Sequence, residues 1–228
     1  QPVTESQESS VHTLPSSQRS ELSSLTHPVS GSQVSVLSVE VTGTPEESTS
    51  QHNLNDVAWN GNDTLVAVGD NATLISSGDA LTDGWSLPAD LGTLDESLSA
   101  VTWDSDNGQF LVVGAGLTVL TSADGATWEL QDLTDLNLGT GNATDLEDVA
   151  WVVDRYVVVG KNSVILTSQD GIDWNVENDG GATDNITLQG VASNGDGSVT
   201  VAVGTNGTLL TSDDRGLNWT PWTITESR

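Results

Sequence analysis

Three short phrases recur down the chain at a near-constant interval, and this periodicity restricts the fold more tightly than any other feature. The phrase containing a Val-Gly pair reads LVAVGDNATLISS, FLVVGAGLTVLTS, YVVVGKNSVILTS and VAVGTNGTLLTS. Its glycine falls at Gly69, Gly114, Gly160 and Gly204, at spacings of 45, 46 and 44 residues. Upstream of each comes DVAWN, AVTWD, DVAWV or GVASN, so that Trp59, Trp103 and Trp151 are followed by Ser193. Downstream come SADGATW at 122–128, SQDGIDW at 168–174, SDDRGLNW at 212–219 and a stretched, degenerate SSGDALTDGW at 76–85. A fixed period of this length marks a repeat architecture, in which each unit buries its faces against its neighbours.

The apolar stretches inside one unit are short, rich in Val, Leu and Ile, and bounded by Gly, Asn and Asp, which is the chemistry of strands and tight turns. No segment sustains a 3.6-residue apolar period, so helices are expected to be nearly absent. One unit therefore reads as four antiparallel strands: a ends near the first Trp, b ends at Val-Gly, c runs into the Ser, and d starts at the second Trp. The b segments, such as YVVVG, are apolar on both faces, which suits a sheet held between two other sheets. Radial packing of four-stranded units of about 40 to 50 residues makes a β-propeller. The expected fold is all-β, a propeller of four four-stranded blades over residues 53–228, with an arm at 1–50.

The phrase Ser-x-Asp-(x)-Gly-x-x-Trp resembles the Asp-box of bacterial neuraminidase repeats, and VGTNGTLLTSDDRGLNW is similar to the photosystem-assembly-factor-like propellers with such repeats. The resemblance covers about residues 53–222. It implies fold more than function, because such boxes occur in hydrolases, assembly factors, receptors and adhesins alike. Recurrence in every unit argues that the box shapes the backbone and is not an active site. In each hairpin the Asp (Asp124, Asp170, Asp214) accepts turn amides beside its Ser (Ser122, Ser168, Ser212). The Gly (Gly125, Gly171, Gly216) supplies a conformation that other residues resist, and the Trp (Trp128, Trp174, Trp219) covers the hairpin.

Sialidase chemistry, which the resemblance raises, calls for an arginine cluster and a tyrosine nucleophile. The repeat region offers only Arg155, Arg215 and Arg228, and the sole tyrosine, Tyr156, opens a b strand that should be core. All three histidines, His12, His27 and His52, precede the repeats, so the propeller has neither a histidine base nor an imidazole metal ligand. A carboxylate pair could serve a glycosidase, yet the sequence singles out no pair. No catalytic residue is assigned and no cofactor is expected. The one weak calcium candidate is the DSDNG turn with Asp104 and Asp106, which lacks the downstream bidentate Glu of a calcium loop. Six Asn-x-Thr sequons, at Asn62, Asn71, Asn142, Asn185, Asn206 and Asn218, fall in expected turns, where they suit either a glycan or the turn itself.

Five Lys plus Arg against 33 Asp plus Glu leave a net charge of −28, which repels nucleic-acid phosphates and anionic lipid. No apolar run approaches the roughly 18 residues that span a membrane as a helix. Absence of Cys leaves the repeats to hold by packing and pairing alone. A chain that begins at Gln1 with no Met anywhere reads as one whose N-terminus was removed, most simply with a secretory signal peptide, so an extracellular or cell-surface location is expected.

The first 50 residues are Ser-rich and linker-like, apart from a strand pattern near residues 33–42 that carries Val34, Val36, Leu37, Val39 and Val41. Four units of four strands are complete without it. A leftover strand joins a sheet edge, in its own chain or in a second copy. The leading expectation is a non-enzymatic extracellular propeller that self-assembles into a filament or matrix through this strand. The alternatives are a secreted glycan-binding or glycan-hydrolysing propeller, and an assembly factor that docks on a membrane complex.

Overall fold

The computed structural model describes residues 52–78, 85–87, 91–136, 138, 145–178 and 186–222. The chain divides into two units, Gln1–Ser35 and Val36–Arg228, and all described residues lie in the second.

The repeats become sheets whose strands follow chain order, each antiparallel to the next. The first sheet has β1 (Leu54–Trp59), β2 (Leu65–Gly69) and β3 (Thr73–Ser77); at its fourth place the described residues show a single pairing, Ser76 with Ser86. The second has β4 (Leu98–Asp104), β5 (Gln109–Gly114), β6 (Val119–Ser122) and β7 (Glu129–Leu130). The third has β8 (Leu146–Val152), β9 (Arg155–Gly160), β10 (Ile165–Ser168) and β11 (Trp174–Asn178). The fourth has β12 (Leu188–Ser193), β13 (Thr200–Gly204), β14 (Leu209–Ser212) and β15 (Thr220–Pro221). The only helical turns among the described residues are three of 3-10 type, Ala115–Leu117, Lys161–Ser163 and Thr205–Gly207, each closing the second hairpin of a sheet. Their central residues Gly116, Asn162 and Asn206 take the left-handed conformation that Gly and Asn tolerate best.

The repeated Val-Gly has a steric cause. The Gly114, Gly160 and Gly204 backbones are extended, so conformation alone does not demand glycine. A methyl group on any of them would overlap the carbonyl oxygen of Ser97, Asp145 or Thr187, just before the first strand of the same sheet, and Gly69 stands likewise against Asn53. Those same carbonyls accept the next amide, for example Lys161 N to Asp145 O at 2.9 Å.

Adjacent sheets bury alternate positions of the b strands against each other. Val66 and Val68 of β2 meet Phe110 and Val112 of β5. Leu111 and Val113 meet Tyr156 and Val158 of β9, and Val157 and Val159 meet Ala202 of β13. Every b strand thus sends one row back and one row forward, which is why it is apolar on both faces. Packing runs from β1 to β4 to β8 to β12, and no comparable packing among the described residues returns from β12 to β1.

Candidate functional site

The first strand of each sheet, β1, β4, β8 and β12, here called the inner strand, pairs on one side only, so alternate N–H groups face away from the sheet and need another acceptor. At the position after a bulge shared by all four strands, the residues are Asp56, Ala100, Asp148 and Gly190. The two aspartates serve all four sheets. Asp56 Oδ1 accepts Val57 N at 2.8 Å and its Oδ2 accepts Val101 N of the next sheet at 2.8 Å. Asp148 repeats this with Val149 N at 2.8 Å and Val191 N at 2.7 Å. Each carboxylate therefore ties its own inner strand to the following one, and the small Ala100 and Gly190 leave that role to their predecessors.

These carboxyls are costly to ionise where they stand. Burial raises Asp148 from 3.8 to about 6 against the pull of its two amides, and the Asp56 charge adds to the rise. Burial also raises Asp56, again opposed by Val101 and Val57 N–H. A carboxyl that titrates near neutrality is a common acid–base device. Here, however, all four oxygens already accept main-chain N–H. The sequence carries this signal as the alternation Asp, Ala, Asp, Gly in DVAWN, AVTWD, DVAWV and GVASN, a two-unit pattern laid over the one-unit period.

The Asp-box residues act within their hairpins and on the preceding sheet. Asp124 Oδ1 accepts Ala126 N at 2.8 Å and Thr127 N at 2.7 Å, while Ser122 Oγ accepts Gly125 N at 2.8 Å and Trp128 Nε1 donates to Gly125 O at 3.1 Å. Asp170, Ser168, Gly171 and Trp174 reproduce this set, as do Asp214, Ser212, Gly216 and Trp219. The bonds depress the carboxyls: Thr127 and Ala126 N–H lower Asp124, and Asn218, through side chain and amide, holds Asp214 at about 2. Gly125, Gly171 and Gly216 have positive φ and lie against Val66, Leu111 and Val157 of the preceding b strand, where a larger residue would collide. In the first sheet Ser77 Oγ is buried and has no hydrogen-bond partner among the described residues.

Tyr156 and Asp104 belong to the same junction. Fully buried, Tyr156 donates its hydroxyl to Asp104 Oδ2 at 2.8 Å and accepts Gln109 Nε2 at 3.0 Å; burial raises its pKa further. Asp104 Oδ1 accepts the amides of Asp106 and Asn107, at 2.8 and 2.9 Å, in a side-chain turn. Asn107 Nδ2 and Gln109 Nε2 then donate to Gln169 O at 2.9 Å and Asp170 O at 2.7 Å, clamping the box hairpin of the third sheet. Between the third and fourth sheets, Asp154 bonds Arg155 and Arg215 instead. Neither Asp104 nor Asp106 joins a group of three metal-ligating side chains among the described residues.

Of the sequons, Asn62, Asn71, Asn206 and Asn218 are exposed. Asn218 Nδ2 is held by Asp214 Oδ2 at 2.6 Å. Asn142, Asn185 and the segment with Val34, Val36, Leu37, Val39 and Val41 lie outside the described residues. No helix among the described residues is long and apolar enough to cross a membrane.

Fold and site together define an all-β propeller built from four repeated antiparallel sheets. No family model matches the chain, and no curated protein does. Solved structures similar to it include YCF48 bound to a D1 peptide, with TM-score 0.58 and 18% identity over 78% of this chain and 55% of that one. YCF48 from Cyanidioschyzon merolae aligns with TM-score 0.55 and 21% identity over 77% and 57%. An ancestral GH74 enzyme aligns with TM-score 0.54 and 17% identity over 75% and 25%. At these identities the likeness is one of fold, and the chain spans just over half the length of the YCF48 structures.

Proposed function

We propose that this chain is a non-enzymatic propeller that works by binding another protein, as a scaffold for assembly. The observation that carries the reading is a division of labour among side chains. Tyr156, Asp104, Asp56 and Asp148, the buried or partly buried groups best placed for acid–base or nucleophilic work, are engaged by the chain's own N–H and O–H donors. Large apolar groups meanwhile stand in solvent, including Val57 at 57% and Trp59 at 58% exposure on the first inner strand. Exposed aromatic and apolar residues on a rigid sheet are the usual anchors of a protein interface. That a YCF48 propeller holds a D1 peptide shows that a related fold can do so.

Cross-linking the full chain to proteins of its source, with mass-spectrometric mapping, tests this. Cross-links are expected near Trp59 and are expected to be lost in Trp59→Ser at unchanged melting temperature. Hydrolysis of an oligosaccharide by the pure chain, abolished in Asp148→Asn, would instead establish the glycan-hydrolase reading. Placement outside the cell, suggested by the −28 charge, and self-assembly through residues 34–41 are further parts of the proposal. Deleting residues 1–45 and measuring particle size reads the self-assembly: polymer retained after deletion rules that route out.

A further inference from the structure

Three equivalent side chains form the forward face of every sheet: Val66, Val68 and Leu74 in the first, Leu111, Val113 and Val119 in the second, Val157, Val159 and Ile165 in the third. All nine are at most 1% exposed, because the next sheet covers them. In the fourth sheet the same places hold Val201, Val203 and Leu209; Val203 is 45% exposed, and Val201 and Leu209 are half-buried. The strand register sets Val203 opposite Leu209 and Ala192 opposite Val201, so all four side chains share that face. Trp222 extends it. Its amide donates to Leu209 O at 2.8 Å, and the residue, 64% exposed, occupies the place that Gln131 and Asn178 take in the second and third sheets.

We infer that this face is a docking surface for one more blade with an intact Asp-box, additional to the four sheets described. The inference deepens the protein-binding reading by naming the surface and the chemistry of the partner. It rests on continuity with three junctions already present. In each of them the first forward residue, Val66, Leu111 or Val157, receives the box glycine of the following blade: Gly125, Gly171 or Gly216. Val201 is the fourth member of that series and has the size and aliphatic character of the others. The second hairpin turn of the first and third sheets also donates an amide forward, Ala72 N to Glu96 O at 2.8 Å and Ser163 N to Ile186 O at 2.8 Å. Gly207 stands at the corresponding place in the fourth sheet and is exposed.

The first sheet of a second copy is a poor occupant. Its rearward residues Ala67 and Ile75 are already buried, at 4% and 1% exposure. Its box sequence is degenerate and aligns no glycine with those that seat on Val66, Leu111 and Val157, and Ser77 Oγ has no hydrogen-bond partner among the described residues. An intact box is the feature that separates the inferred partner from the first sheet of a second copy of this chain.

The test extends the full chain by a second copy of its residues 131–178, the third blade with its natural lead-in, joined after Arg228. The appended copy is expected to resist protease under conditions that digest an unstructured tail. Val203→Asp, expected to shift the melting temperature little in the original chain, is expected to lower it clearly in the extended chain and to expose the appended copy to protease. Leu in place of Gly171 within the appended copy alone should cause the same loss of protection. An appended copy digested as fast as a tail, with Val203→Asp acting alike in both chains, overturns the inference. So does an unextended chain that forms concentration-dependent oligomers dispersed by Val203→Asp, since a second copy is then the occupant. Neither result bears on cross-links at Trp59, so the broader reading stands or falls separately.

Discussion

Replacing Gly160 by alanine isolates the steric reason for the repeated Val-Gly. Gly160 has φ −166°, extended backbone that alanine adopts freely, so no conformational strain is added. The new methyl would overlap the Asp145 carbonyl oxygen and stand 3.1 Å from Leu146 Cα and 3.2 Å from Asp145 C, all of them backbone atoms that cannot rotate aside. Overpacking of this kind costs about 1–3 kcal/mol. Displacing the inner strand also weakens the bond from Lys161 N to Asp145 O, worth about 1 kcal/mol. Alanine recovers roughly 0.4–1 kcal/mol by narrowing the unfolded ensemble. The net expectation is a loss of about 1–3.5 kcal/mol, or very roughly 2–14 °C in melting temperature for a chain of this size. Gly195 is the control, since nothing lies within 4 Å of an added methyl there, and Gly195→Ala should be neutral or slightly stabilising. Urea unfolding followed by tryptophan fluorescence reads both. Equal midpoints for the two variants would refute the close-approach explanation.

Other consequences follow from named groups. Asp170→Ala removes the acceptor of Ile172 N and Asp173 N and should lower stability by roughly 1–3 kcal/mol while protein binding, assayed well below the melting transition, persists; a stable variant that has lost binding would make the box a binding site. Asp148 carries a folded pKa raised from 3.8 to about 6, so the folded chain holds this proton more tightly than the unfolded chain does. Its contribution is full below about pH 4 and is lost as pH rises through about 6, an effect of roughly 2–3 kcal/mol. Asp148→Asn should flatten that part of the stability–pH curve, and an unchanged slope between pH 4 and 7 would contradict the burial argument. Because like charges repel at a net −28, melting temperature should climb from about 0.01 M to 1 M salt, and a flat curve would argue against self-repulsion as a significant cost.

Most of the fold is legible in the sequence because a repeat is read four times over. The b strands, their Val-Gly ends and the three box hairpins at 122–128, 168–174 and 212–219 stand where the phrases place them, and Tyr156 lies in the core as its position in YVVVG implies. What escaped was long-range. Nothing local marks Asp56 as the acceptor for Val101 N of the next sheet, or Asp104 as the partner of a tyrosine 52 residues away. The DSDNG turn resembles half a calcium loop in sequence, and a carboxylate accepting successive amides, as Asp104 does here, is equally the geometry of a plain side-chain turn. Trp222 illustrates the reverse case: in sequence it is one more d-strand tryptophan, and only the strand register shows it on an uncovered face. Composition could not distinguish the fourth sheet from the others, since VAVG and VVVG differ by a single side chain.

Thiol labelling of single-cysteine variants tests the serial stacking of sheets with one open end, and the chain has no cysteine of its own to interfere. Val68, Val113, Val159 and Val203 are equivalent positions, and each would be replaced by cysteine in turn. Under native conditions Val203→Cys should react with a small maleimide at close to the rate of the unfolded chain, while the other three should react only upon unfolding, because their side chains are 0% exposed. Protection of Val203→Cys equal to that of Val159→Cys in a monomeric chain would contradict the open fourth face, and rapid labelling at Val113 or Val159 would contradict the stacking itself.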